Sequence, residues 1–439
     1  MTDIESTDVF TPYQYPLYTY VERKNDYEKS LRDGLRTPGL VISLSGPSKS
    51  GKTVLVQNVI GSENIIRING TEITDASAIW NIVLDRLKVP TQLTKQDSTN
   101  KSDGMTGGLG YTLGIPTVAS FSGTAQATDT TASSQSDSFS YTRSGISQVS
   151  EIVKVKKYII FIDDFHYMDR KVQVQVAKQL KAGAEIGIRS CAASVPHRSD
   201  DVLRANPELH GRVKTIDIKY WSIDELKEIA KKGFEFLNMN LSDQIIEKLS
   251  VESCGSPQLM QALCLNTCFT LGINKKLGSK TNIDVPDGDY ETIKKETSTF
   301  ADFSTIVEAL HTGPKTHGTD RNIYDFIDGT KGDMYRAILL AISLDPPKMT
   351  IPYSALVDRV KNVCLNNHFP SGRNISDACE QFGKLLRKSM RAHAQENRNV
   401  PIEWDKTVDP EILHIAEPYF LFYLRSSNKI ISLGEEIVD

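Results

Sequence analysis

Gly46-Pro47-Ser48-Lys49-Ser50-Gly51-Lys52-Thr53 satisfies the pattern G-x-x-x-x-G-K-[ST] at each of its fixed positions. Upstream, residues 40–44 (Leu-Val-Ile-Ser-Leu) form a short apolar, β-branched run that reads as a buried strand. Downstream, residues 54–60 (Val-Leu-Val-Gln-Asn-Val-Ile) carry apolar residues at helical spacing until Gly61 stops them. Strand, glycine loop and helix are the context that turns the pattern into a phosphate site. The glycines let backbone N–H groups curl around phosphate oxygens, and the helix N-terminus adds partial positive charge. Lys52 is placed to reach the β- and γ-phosphates of a nucleotide, and the Thr53 hydroxyl to ligate Mg²⁺.

Such a loop needs an acidic partner. Residues 157–164 (Lys-Tyr-Ile-Ile-Phe-Ile-Asp-Asp) read as an apolar strand ending in two carboxylates. In P-loop NTPases an Asp at the end of a neighbouring strand holds the Mg²⁺. That role falls to Asp163, and Asp164 stands where a carboxylate can orient the attacking water. The expected ligands are therefore ATP and Mg²⁺.

At 439 residues the chain is too long for one ordinary core, and two to three domains are expected. A hydrophobic content of 39% and a charged content of 24% are those of a globular protein. The net charge of −4 excludes a globally basic nucleic-acid binder but leaves room for a local patch. No run approaches the roughly 18 apolar residues of a membrane span. The acidic, polar start at residues 1–8 is the opposite of a signal peptide. Six cysteines in a chain this long form no disulfide framework, and no His or Cys pair completes a zinc site around Cys264 and Cys268. Buried thiols in a reducing cytoplasm are expected.

Strands at residues 64–68, 188–194 and 213–218 alternate with helices at 26–35, 76–87 and 171–181, which predicts a parallel sheet covered on both faces. Residues 91–150 break this rhythm with Ser, Thr, Gly and Ala, too small and polar to build a core. They read as an insertion, partly alternating like a β-hairpin, serving either as an assembly element or as a surface loop. From Ser222 the texture turns helical. Ser222 and Glu225 form a capping box for residues 222–237, another helix covers 243–251, and Ser256-Pro257 opens a third that runs to about 271. Polar connectors are expected at 273–295 and 312–322. Helices at 333–344, 353–364 and 375–392 precede short strands at 402–404 and 412–415 and an aromatic run at 417–425, the pattern of a winged helix. The expected architecture is thus an α/β P-loop NTPase core (1–221, with the 91–150 insertion), a helical lid (222–272), a helical linker (273–330) and a winged-helix-like C-terminal domain (331–439).

This order of parts resembles the AAA+ and STAND-type P-loop ATPases, including the initiator-like branch. Tyr20, Val21 and Arg23 are similar to the segment that packs on adenine in these families. Asp163-Asp164 resembles the double-acid ending of the STAND acidic strand. Residues 193–198 (Ala-Ser-Val-Pro-His-Arg) lie where the resemblance puts a polar sensor of the γ-phosphate, and His197 and Arg198 compete for that role. Residues 206–212 (Asn-Pro-Glu-Leu-His-Gly-Arg) look like the segment that presents an arginine finger to a neighbouring subunit, which implies Arg212 as the finger. Gly255-Ser256-Pro257 resembles the STAND Gly-x-Pro motif, implying that Pro257 contacts the base. Many AAA+ lids carry an arginine just after it, whereas this chain has Gln258, so closure over the γ-phosphate must depend on other groups.

The resemblance implies an ATP-hydrolysing switch that assembles into a homo-oligomer and regulates a protein partner through its C-terminal domain, as in signalling or antiviral defence. The alternative is a DNA-acting ATPase of the initiator or transposition-regulator kind. Lys384, Arg387, Lys388 and Arg391 place four cations on one predicted helix, the face such a protein would lay on phosphates. A third reading, a nearly inactive nucleotide-binding scaffold, follows from Gln258.

Overall fold

The computed structural model describes residues 4–89, 92–96, 138–143, 145–195, 209, 211–315, 321–392 and 400–435. Five parallel strands make the central sheet: β1 (Val41–Ser45), β2 (Ile65–Asn69), β3 (Ile159–Asp163), β4 (Ser190–Ser194) and β5 (Val213–Asp217), in the order β2-β3-β4-β1-β5. Alternation along each strand divides the apolar residues between two faces. Val41, Ile66, Ile68, Ile160, Ile162 and Ala192 enter one core, beneath the helices Ile79–Arg86, Ile146–Lys156 and Arg170–Glu185. Ile42, Leu44, Ile159, Phe161, Cys191 and Ala193 enter the other, beneath Tyr27–Arg36 and Lys52–Ile60. Strands buried on both sides read as continuous apolar runs, and β1, β3 and β4 are buried at all five positions.

The lid comprises helices Ile223–Phe236, Asp243–Glu252 and Pro257–Thr270, with Ser222 and Ser256 as the N-caps of the first and third. Residues 273–295 were expected to be a polar connector, and here the structure differs. Asp287–Ser298 is a helix lying against Pro257–Thr270, with Tyr290 and Ile293 buried. Its apolar stripe is one residue wide in a strongly charged segment, so composition hides it. After Ser304–Thr312 come helix Met334–Ser343, strand Thr350–Pro352, helices Tyr353–Val363 and Gly372–Ala392, and strands Ile402–Asp405 and Ile412–Ile415. The three strands form an antiparallel sheet with Ile412–Ile415 in the middle. Helices Pro418–Ser426 and Lys429–Glu435 follow.

One continuous apolar cluster runs from the lid into the C-terminal unit, from Leu226 and Leu263 to Ile338, Phe420 and Leu433. A buried ion pair fastens the same joint: Arg425 donates to Glu252 at 3.0 Å, to Asp345 at 2.7 Å and to the Ser343 carbonyl at 2.6 Å.

The insertion is narrower than its composition suggests. Gln92–Gln96 and Ser138–Thr142 pair as antiparallel strands, and residues 97–137 lie outside the described residues. Residues 146–150, read as part of the insertion, are instead the start of helix Ile146–Lys156. Val149 and Val153, one helical turn apart, are fully buried or nearly so, a stripe masked by the serines between and before them. Replacing residues 97–137 by about ten Gly/Ser residues should therefore leave a folded protein, since loop-closure cost changes by only about 0.6 kcal/mol per halving of length. Extending the deletion through Val153 should unfold the sheet domain, because each buried valine contributes about 1.5–3 kcal/mol. Thermal melts of the two deletions, followed by circular dichroism, check this.

Candidate functional site

The phosphate loop leaves β1 under tight steric control. A Cβ on Gly46 would lie 2.8 Å from Ile218 Cβ and 2.9 Å from its carbonyl oxygen, so only glycine fits against the strand end. Lys49 (φ 60°) and Gly51 (φ 89°) take left-handed conformations that turn the loop into the helix starting at Lys52. Lys52 is buried, and its Nζ donates to the carbonyls of Gly46 at 2.8 Å and Pro47 at 2.7 Å. Burial pulls its pKa down to about 8, against the opposing pull of Asp163 and Asp164.

The acidic half lies beside it. Thr53 Oγ1 donates to Asp163 Oδ2 at 2.7 Å, and Arg67 Nη2 donates to the same oxygen at 2.7 Å. The Asp164 N–H donates to Asp163 Oδ1 at 3.1 Å. Asp164 itself is left-handed (φ 55°), and a Cβ on Gly70 would come within 2.3 Å of its carbonyl oxygen. Gly70 thus lets the end of β2 close on the end of β3, and Asn69 Nδ2 reaches to 3.4 Å from Asp164 Oδ2. Burial, reinforced by the charge of Asp163, raises the Asp164 carboxyl above its ordinary value. A hydroxyl and a carboxylate converging on one point, with a second carboxylate next to them, are hard oxygen donors suited to Mg²⁺ shared with phosphate oxygens. Among the described residues there is no cluster of three or more His, Cys, Asp or Glu side chains that would hold a metal without a phosphate.

These groups line a cleft of about 440 Å³. At its far end, Tyr20 donates to Glu28 Oε1 at 2.6 Å and stacks on Tyr15 with ring centroids 6.0 Å apart. Burial and this bond to Glu28 push the Tyr20 phenol up. Val21 and Pro257 line the same cleft, and Pro257 Cγ would be 3.8 Å from a Cβ on Gly51. Arg23 also borders the cleft, but its guanidinium is committed elsewhere. It pairs with Glu225 at 3.1 Å, donates to the carbonyls of Lys219 and Tyr220, and lies 5.0 Å from the ring centroids of Tyr27 and Trp221. Arg23 therefore ties the sheet domain to the lid.

The lid and the C-terminal unit both reach the loop. Trp221 Nε1 donates to the Ser50 carbonyl at 3.0 Å, and Ser256 Oγ to the Lys49 carbonyl at 3.4 Å. Ser48 Oγ donates to Glu417 at 3.1 Å, where Glu417 stands as N-cap of Pro418–Ser426. Burial raises the Glu417 carboxyl, with Lys49 as the leading opposing charge.

Arg212 lies elsewhere. It precedes β5 and pairs with Glu185 at 3.4 Å, half exposed. Val41 and Val213 are in register, so Arg212 is a full strand length, about 16 Å, from the end of β1 where the loop begins. It is outside the cleft of its own chain. His197 and Arg198 lie outside the described residues, as does the Arg391 side chain. Arg67, Asn69, Glu28 and Glu417 were not singled out from sequence. Only Arg67 left a local trace, as a charge between Ile66 and Ile68 that marks the outward face of β2.

Neither a protein-family model nor a curated protein sequence matches the chain. Among solved structures it is similar to the Walker-type ATPase of Pyrococcus abyssi, at 15% identity and a TM-score of 0.48 over 92% of this chain and 96% of that one. It is also similar to the ORC2 protein of Aeropyrum pernix, at 11% identity and a TM-score of 0.45 over 99% and 100% of the two chains. A third is Cdc6p from Pyrobaculum aerophilum, at 12% identity and a TM-score of 0.40 over 99% and 100%. With the loop following β1, an acid pair at the end of β3, and a parallel sheet continued into a helical lid, the described residues have a P-loop NTPase fold.

Proposed function

We propose that the protein binds Mg²⁺ and ATP in this cleft, hydrolyses the nucleotide, and uses the cycle as a molecular switch. The observation that carries this reading is the convergence of Lys52, Thr53, Asp163 and Asp164 at one mouth of one cleft. Thr53 and Asp163 are the residues that would hold Mg²⁺, whose charge would offset that of the β- and γ-phosphate oxygens. Lys52, released from the two loop carbonyls, faces the same oxygens. Asp164 accepts the proton of a water whose oxygen attacks the γ-phosphorus. The bond from that phosphorus to the bridging oxygen breaks, and its electron pair leaves with ADP. The raised pKa of Asp164 favours this use as a base.

The switch reading is supported by where the loop sits. Ser48, Lys49 and Ser50 are bonded in turn by Glu417, Ser256 and Trp221, so the lid and the C-terminal unit both meet the nucleotide at its phosphates. We take the C-terminal unit for a winged helix that engages a protein partner, in the signalling or antiviral setting that the STAND resemblance implies. Glu380 pairs with Lys384 at 2.9 Å and with Lys406 at 2.6 Å, which lowers the positive field of the helix face that the DNA-acting alternative would use. Homo-oligomerisation is part of the same proposal: Arg212, paired with Glu185 outside the cleft of its own chain, would act on a nucleotide held by a neighbouring subunit.

Lys52→Ala should weaken nucleotide binding about 10- to 100-fold, the worth of a charge-assisted hydrogen bond to phosphate. Asp164→Asn should bind normally and lose about 10²–10⁴ in turnover. Fluorescent-nucleotide titration and phosphate release separate the two, and unchanged affinity in Lys52→Ala would sink the reading.

The Lys52 pKa near 8 fixes a pH dependence. Phosphate binds the protonated amine, so affinity is full below about 8 and falls as pH rises through it, by up to tenfold per unit until the bound-state pKa is reached. Titrations from pH 7 to 9.5 test the sign, and a flat profile would contradict it.

If Arg212 acts on a neighbour, specific activity must rise with protein concentration. Mixing Arg212→Ala with Lys52→Ala protein should then restore part of the activity, because each supplies what the other lacks. In the best-measured systems such a finger gives about 10³–10⁵ in rate. Activity that is flat on dilution, with no rescue on mixing, would mean that no arginine is shared.

A further inference from the structure

We propose that Arg67 is a catalytic residue of this site, the cation that contacts the γ-phosphoryl group from within the same chain. The assignment rests on the nucleotide reading of the cleft and adds a residue to it. Among the described residues, four Lys and Arg side chains border the cleft: Arg23, Lys49, Lys52 and Arg67. Arg23 is held by Glu225 and two carbonyls, and Lys49 and Lys52 belong to the loop that wraps the phosphates. Gln258, at the lid position where a cation would close over the γ-phosphate, is neutral. Among the described residues Arg67 remains, and its place in the sheet suits the task.

Residue parity on β2 sends Ile66 and Ile68 into the core and Arg67 and Asn69 to the other face. Arg67 is in register with Phe161, two residues before Asp163, and its side chain runs along the strand direction to the carboxylate. The Arg67 side chain is half exposed, at 53%, whereas that of its partner Asp163 is buried at 5%. The bond to Asp163 uses one of its five donors. It falls on Oδ2, the same oxygen that accepts from Thr53. That oxygen belongs to the pair that would hold Mg²⁺, and a dication and a guanidinium on one oxygen repel each other. Loading of the site therefore turns Arg67 away from Asp163, and the anion nearest to hand is the γ-phosphoryl group. Arg67 balances Asp163 as the two are paired here, and would offer a planar, permanently charged fork to the terminal phosphate of a bound nucleotide.

The test compares a non-hydrolysable ATP analogue with ADP, each with Mg²⁺, by calorimetry on wild type, Arg67→Ala and Arg67→Lys. The expected result for Arg67→Ala is a loss of about 10- to 100-fold in analogue affinity with little change for ADP. The Mg²⁺ concentration needed for half-maximal ADP binding should fall in the same variant, because the competing cation is gone. Arg67→Lys, a point charge without the fork, should keep part of the discrimination. An analogue-to-ADP ratio in Arg67→Ala equal to that of wild type would overturn the assignment. Equal weakening of both nucleotides would also overturn it, and would leave Arg67 as a support for Asp163 alone. If wild type bound neither nucleotide, the reading of the cleft itself would fall together with the assignment.

Discussion

Asp163 is a charge that the fold has buried, and the surrounding construction follows from that fact. A carboxylate taken out of water without partners costs far more than a domain can spare. Thr53 and Arg67 converge on one of its oxygens and the Asp164 N–H on the other. Those donors come from the helix after β1, from β2 and from the turn after β3, so satisfying one side chain aligns three separate stretches of chain. Close approach at two glycines makes the alignment sterically feasible: Gly46 against Ile218 and Gly70 against the Asp164 carbonyl. A side chain at either position would push a strand end away and leave the carboxylate short of donors.

That constraint also explains which parts of the molecule were legible in sequence. The loop from Gly46 to Thr53 and the acid pair Asp163-Asp164 are local patterns whose function depends on residues adjacent in the chain. The capping boxes and N-caps at Ser222 and Ser256 are local in the same sense, and they begin helices where the spacing predicts. Arg67 and Glu417 were not legible, because each acquires its meaning from a partner far away in sequence. Arg67 meets Asp163 across 96 residues, and Glu417 meets Ser48 across 369. Arg23 lines the cleft, and the structure adds a second role that its sequence neighbourhood does not announce. The resemblance implies a contact with the base, and tertiary structure bonds the guanidinium to Glu225 and the strand-to-lid turn.

The helix Asp287–Ser298 and the first turn of Ile146–Lys156 were obscured for a related reason. In both, a narrow apolar stripe lies in a polar segment, and composition outweighs periodicity when read in a window. Packing settles the matter otherwise, because two or three buried side chains against an existing helix suffice to fix a short amphipathic one. The continuous core from lid to C-terminal unit, closed by Arg425 and Glu252, was equally hidden. Nothing at residue 425 announces a partner at 252, and the breadth of that core means the two units meet as one body rather than as beads on a linker.

The electrostatics of the loop follow from this joint. Lys49 and Lys52 face Glu417, Asp163 and Asp164, so the cations that would meet phosphate already have carboxylates nearby. Glu417 also accepts the Ser48 hydroxyl, a group that a phosphate oxygen would otherwise bond. Any anion arriving at the loop therefore competes with a carboxylate contributed by the C-terminal unit. That carboxylate is fixed to its helix as an N-cap, so it cannot leave the loop without moving the helix or giving up the cap. Pro418–Ser426 also carries Arg425, which is bonded to Glu252 in the lid, so an unbroken series of side-chain contacts runs from Ser48 through Glu417 and its helix to a buried ion pair in the lid. The phosphate loop and the C-terminal half are thus joined by specific side chains.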